Sequence, residues 1–112
     1  MMIHLRRRLW AGTSALLLVL TPAGARADDA ALALGKALFT AQAEPQCGIC
    51  HTLADAGSAG AIGPVLDELK PDAGRVAAAV ANGIGIMPAY DSLTKAQVDA
   101  VALYVSAVAG RP

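Results

Sequence analysis

Cys47-Gly48-Ile49-Cys50-His51 is the stretch on which the reading of this chain turns. Its two thiols are three residues apart, close enough to share one helical turn, and an imidazole follows the second directly. A thioredoxin-like dithiol would need a βαβ pattern around it, and the flanking sequence carries none. Structural zinc needs four ligands, whereas downstream of residue 27 the chain offers only these two cysteines and one histidine. A disulfide would leave His51 without a role. Covalent attachment of a c-type haem uses all three side chains: Cys47 and Cys50 form thioethers, and the imidazole of His51 reaches the iron.

Haem is attached in this way outside the cytoplasm, and the start of the chain fits export. Arg6-Arg7-Arg8 is followed by an apolar run from Leu9 to Leu20, then Pro22 and the small-residue pattern Ala25-Arg26-Ala27. These are the three regions of a secretory signal peptide, so residues 1–27 are expected to be cleaved after Ala27. The run is 12 residues long, whereas about 20 are needed to span a hydrocarbon core. No full twin-arginine pattern follows the arginines, which favours the general secretory route. The expected location is the periplasm, across the bacterial inner membrane, with no membrane span after cleavage.

Cleavage leaves residues 28–112, a single domain of 85 residues. Five basic side chains remain against nine acidic ones, a net charge of −4. That field argues against nucleic acid or an anionic membrane surface as a partner, and suits a protein bearing a basic patch. Phe39, Tyr90 and Tyr104 are the only aromatic residues in this region, and alanine supplies much of its apolar content. Such a small core is marginal by itself, and a buried porphyrin would complete it.

The periodicity predicts an all-α fold with a high share of loop and no strand. A first helix is expected over Ala30 to Ala43, opened by Asp28-Asp29, with Leu34, Leu38 and Ala41 on one face and Phe39 beside them. Gly35 inside it implies another helix lying close across that point. Glu44-Pro45 ends the helix. Thr52 to Gly63 is rich in Gly, Ala, Ser and Asp and reads as loop. A second helix is expected from Asp72, its N-cap, to Ala81, stopped by Asn82-Gly83. Ile84 to Tyr90 is too rich in glycine and proline to be helical. Thr94-Lys95-Ala96-Gln97 is a capping box for a last helix. Val98, Val101, Ala102, Val105 and Val108 form its apolar face, and Gly110 closes it.

Two segments beyond the motif bear on the iron. His51 needs an acceptor for its Nδ1 proton, and a backbone carbonyl of Gly63-Pro64 is the candidate. Met87 is the one methionine left after cleavage, in a loop and followed by proline. With no second histidine present, its thioether is the expected sixth ligand, which closes the iron and raises its potential.

Residues 28–112 resemble a class I cytochrome c, one of the small monohaem electron carriers. The shared features run in order: Gly35 with Phe39, then Cys47 to His51, Gly63-Pro64-Val65-Leu66, Met87-Pro88, and a last helix carrying Leu103-Tyr104. The resemblance implies that the N- and C-terminal helices cross, with Gly35 facing Leu103 or Tyr104, while a third helix and loops wrap one covalent haem c. It also implies that Pro64 accepts the Nδ1 proton of His51 and that Met87 is the sixth ligand. Cys47 to Gly57 and Asn82 to Pro88 further resemble the cytochrome partners of bacterial sulfite dehydrogenases, which take electrons singly from a molybdenum enzyme.

The expected function is therefore one-electron transfer without catalysis. The partners would be periplasmic redox proteins: a donor dehydrogenase, and a terminal oxidase or another cytochrome as acceptor. The chain would act as a monomer or as a subunit of a heteromeric dehydrogenase. Small apolar residues, Ile49, Ala61, Ile62, Ile86 and Ala89, would surround the haem edge and permit brief docking. The alternative, a haem enzyme or ligand-binding haem protein with a displaceable Met87, would need a polar acid–base group on the methionine side. Ile84 to Ala89 supplies none.

Overall fold

The computed structural model describes residue 12 and residues 14–111. The arginine cluster and the first residues of the early apolar run of the expected signal peptide lie outside the described residues.

Helix α1 spans Ala23–Ala37 and passes into a π-helical turn, Leu38–Gln42. It begins well before the expected Ala30. Pro22 sets the start, and no side chain caps it, so Asp28 and Asp29 lie inside the helix on exposed positions and do not open it. The π turn corrects the expected face as well. Its wider ring, closed by Ala43 N–H to the Leu38 carbonyl at 3.0 Å, turns the adjacent residues Leu38 and Phe39 both inward, each 1% exposed. Leu34 and Ala41 face solvent.

Gly35 marks where α1 crosses α5 (Lys95–Val108). A Cβ at Gly35 would collide with the Ala100 carbonyl oxygen and lie 2.6 Å from Tyr104 Cβ. Of the two expected neighbours, Tyr104 is thus the one in contact. Its ring meets Phe39 edge-on, with centroids 6.0 Å apart. The capping box forms in full: Thr94 Oγ1 accepts from Gln97 N–H, and Gln97 Oε1 accepts from Thr94 N–H. The expected valine face is buried, except that Val108 is only partly covered.

Between these helices lie α2 (Cys47–Cys50), α3 (Leu66–Leu69) and α4 (Ala73–Asn82). Helix α4 matches expectation within one residue. Asp72 Oδ1 caps it by accepting from Arg75 N–H at 2.8 Å, and Gly83 ends it with φ of 73°.

The stretch read as loop contains an antiparallel pair, β1 (His51–Leu53) and β2 (Ser58–Ala61). A short 3₁₀ turn, Ala54–Ala56, and Gly57 at φ 64° join the strands. Ser58 Oγ donates to the His51 carbonyl at 2.8 Å and accepts from Leu53 N–H at 3.0 Å. The small residues here serve close packing. A Cβ at Gly60 would lie 2.5 Å from the Ile49 carbonyl oxygen, so the strand pair presses directly on α2.

Candidate haem site

Helix α2 is a single turn, which is enough to bring Cys47 and Cys50 to one wall of an apolar cavity of about 340 Å³. His51, Gly63, Pro64 and Met87 line the same cavity. Every residue singled out in the sequence for cofactor or metal binding therefore meets in one place. The remaining wall comes from Phe39 of α1, Leu66 and Leu69 of α3, Val76 and Val80 of α4, and Val101 and Val105 of α5. Both thiols are free, and burial pushes that of Cys47 up from its ordinary pKa.

The imidazole is fixed by its surroundings. His51 Nδ1 lies 2.8 Å from the Pro64 carbonyl oxygen. That oxygen can only accept, so Nδ1 carries the proton and the Nε2 lone pair is left for a metal. Gly63 N–H donates to the Cys50 carbonyl at 2.7 Å, bringing the 63–64 segment against the motif. A Cβ at Gly63 would lie 2.5 Å from His51 Cε1. Only glycine lets the ring occupy this position.

Met87 sits in a tight turn. Ile84 and Met87 exchange backbone hydrogen bonds of 3.1 and 2.9 Å, and Gly83 and Gly85 both have positive φ. The next aromatic, Tyr90, is buried, and its hydroxyl donates to the Pro45 carbonyl at 2.8 Å. Burial and the neighbouring Cys47 push its pKa up to about 12. The loop is thus held at Val80, through Tyr90 N–H at 2.9 Å, and at Pro45.

Several residues at the site were not picked out from sequence. Val76 and Val80, an i, i+4 pair on alanine-rich α4, were the legible ones. Among the described residues Arg75 is the only cavity-lining side chain with a formal positive charge. Of the residues expected around a haem edge, Ile62 and Ile86 line the cavity and are 61% and 84% exposed. Ile84, 65% exposed, joins them. Ile49, Ala61 and Ala89 are exposed but do not line the cavity.

The arrangement fits a haem: an apolar slot, two free thiols and a fixed imidazole on its wall, and a thioether on the same lining. Among the described residues, no three His, Cys, Asp or Glu side chains cluster to hold a bare metal ion. Fold and site together define a small c-type cytochrome, an electron-transfer protein that binds haem c covalently. Residues 30–105 match the family described as "Cytochrome C oxidase, cbb3-type, subunit III", and the chain belongs to that cytochrome c family. It is also similar to the c-type cytochrome SorU from Sinorhizobium meliloti, whose crystal structure it matches at 61% identity and a TM-score of 0.72. That match covers 73% of this chain and 94% of SorU. No curated protein matches the chain. Among the described residues no helix is long and apolar enough to cross a membrane.

Proposed function

We propose that this cytochrome carries single electrons between periplasmic redox proteins, on one haem held by Cys47 and Cys50 and ligated by His51 and Met87. Residues 1–27 serve as an export leader, removed after Ala27. The observation that carries the ligand set is the shared cavity, lined by the two thiols, by an imidazole whose Nδ1 is already bonded to Pro64, and by Met87.

The haem supplies the one-electron chemistry, through an iron that alternates between ferrous and ferric. Pro64 strengthens His51 as a donor by taking its Nδ1 proton in a hydrogen bond. The thioether of Met87 would be the second protein ligand to the iron and would raise its potential. Ile84, Ile86 and Pro88 beside it offer no side chain that could move a proton to a bound substrate. His51 and the turn carrying Met87 are each held by hydrogen bonds of the fold, so little of the polypeptide would have to rearrange on electron transfer. Exposed Ile62, Ile84 and Ile86 form an apolar rim for brief docking, of the kind that buries under about 1,200 Å².

The donor we propose is a sulfite dehydrogenase-like molybdenum enzyme, with a terminal oxidase or another cytochrome as acceptor. The chain serves it as a free carrier or as its subunit. The pattern of Cys47 to Gly57 and Asn82 to Pro88 supports this, and purification of the untagged native protein tests it through what co-elutes. The ligand set is tested by the ferric spectrum, where a low-spin haem with the weak near-infrared band of methionine sulfur is expected. Met87→Ala should remove that band and lower the potential by on the order of 0.1 V, a fraction of the range axial ligands span. An unchanged potential would show that Met87 is not a ligand.

A further inference from the structure

We infer that Asp67 is a positioning residue for His51: its carboxylate sets the distance between the imidazole and the Pro64 carbonyl. The inference rests on the reading of His51 as an iron ligand.

Asp67 lies in α3, three residues beyond Pro64. Its carboxylate accepts from two backbone N–H groups far apart in sequence, Oδ2 from Ala54 at 2.8 Å and Oδ1 from Gly110 at 2.9 Å. Ala54 lies three residues beyond His51. The Ala54–Asp67 bond therefore spans the same stretch of chain as the His51–Pro64 bond of 2.8 Å, displaced by three residues at each end. The two bonds act in parallel.

The pieces joining them are stiff. On one side is β1, ending at Leu53, which is fully buried. On the other, Glu68 and Leu69 N–H both return to the Val65 carbonyl, and Leu66 is buried. Fixing Ala54 against Asp67 thus leaves His51 and Pro64 little freedom to part. The second arm, to Gly110, holds the carboxylate in place. Gly110 has φ of 71°, and a Cβ there would lie 2.8 Å from the Asp67 carbonyl oxygen. That contact also ties the end of α5 to the segment behind His51.

The other tether of the strand pair is different in kind. Asp55 accepts from Tyr104 at 2.6 Å and pairs with Lys36 at 3.3 Å. It binds the 3₁₀ turn to α5 and α1 and does not touch the Pro64 side. Cutting it loosens the fold without altering the span from His51 to Pro64, which provides the control.

The experiment uses the haem-loaded protein in its diamagnetic ferrous state. It compares wild type with Asp67→Asn, Asp67→Ala and Tyr104→Phe. The near-isosteric Asn keeps one acceptor oxygen and places an NH₂ against the other N–H, so it disrupts one bond with little change of shape. Solvent exchange of the His51 Nδ1 proton is read by NMR, together with the reduction potential. In both Asp67 variants exchange should speed up about tenfold, the effect of losing one hydrogen bond's net contribution. The potential should rise, because a weaker Nδ1 bond makes the imidazole a poorer donor to ferric iron. Tyr104→Phe should lower the melting temperature and leave both readings at wild type. Unchanged exchange and potential in Asp67→Asn would overturn the inference, and so would equal acceleration in Tyr104→Phe. A wild-type protein lacking a low-spin haem would overturn the axial assignment and the inference with it.

Discussion

One missing methyl group at Gly63 governs how the proposed axial imidazole sits. A Cβ there would lie 2.5 to 3.0 Å from three ring atoms of His51, closer than real Cβ atoms approach a ring. Gly63→Ala should therefore push the ring off the Pro64 carbonyl and destabilise the protein by about 1–3 kcal/mol, the usual cost of overpacking. Urea unfolding of the ferric protein measures it, and stability equal to wild type would refute the packing argument. Asp55 makes a second prediction. The Tyr104 hydroxyl bonded to its carboxylate, together with Lys36, holds Asp55 below the usual carboxylate pKa. Because the folded value lies below the unfolded one, this stabilisation is present above about pH 4. It disappears as pH falls through the lowered folded value. The stability gap between wild type and Tyr104→Phe should thus hold from neutral pH to about pH 4 and close below it. A gap that persists at the acid end would mean that the hydroxyl stabilises by some other route.

The crossing of α1 and α5 depends on Gly35 in the same steric way, with a whole interface at stake. Gly35→Val should drive the helices apart at the Ala100 carbonyl, costing at or above the top of the roughly 1–3 kcal/mol range for overpacked cores. Thermal unfolding is the check, and a melting temperature equal to wild type would refute the contact. That glycine was legible because a helix interior rarely carries one without a close neighbour. Capping made the limits of α4 and α5 legible as well, since Asp72 and the Thr94–Gln97 pair state a boundary chemically. The start of α1 in the full chain was not, because nothing polar marks it at Pro22; the proposed cleavage after Ala27 would leave Asp28 and Asp29 as its first residues. The π turn escaped for another reason. A count at 3.6 residues per turn assumes the ladder it is measuring, and one wider ring keeps the expected Leu38 inward, brings Phe39 in with it and leaves Ala41 outside. The β1–β2 pair was misread because glycine and serine signal freedom in a loop and close approach in a packed one. Only the neighbouring α2 backbone decides between them. The site itself was legible almost completely, since thiols, imidazole and thioether name their own chemistry. Asp67 was not legible, because a surface-type aspartate carries no sign of the two distant N–H groups it joins.

The molecule's core and its cofactor cavity share their walls. Leu66, Val76, Val80, Val101 and Val105 are buried core residues, and each also lines the cavity. The helices therefore pack against each other along one edge and line the cavity along the other. Replacing both Cys47 and Cys50 with serine should then do more than abolish attachment. The chain should lose cooperative thermal unfolding, as seen by far-ultraviolet circular dichroism, since a domain this small has little core to spare. A sharp, wild-type-like transition in that variant would show that the polypeptide is self-sufficient.

The shared wall also has a consequence for the cell. If the polypeptide finishes folding only when the cofactor arrives, chains left without it remain open to proteolysis. The abundance of intact carrier would then follow the supply of iron and porphyrin, with no dedicated regulator. Under iron starvation the amount of intact protein would fall through turnover of its unfinished chains.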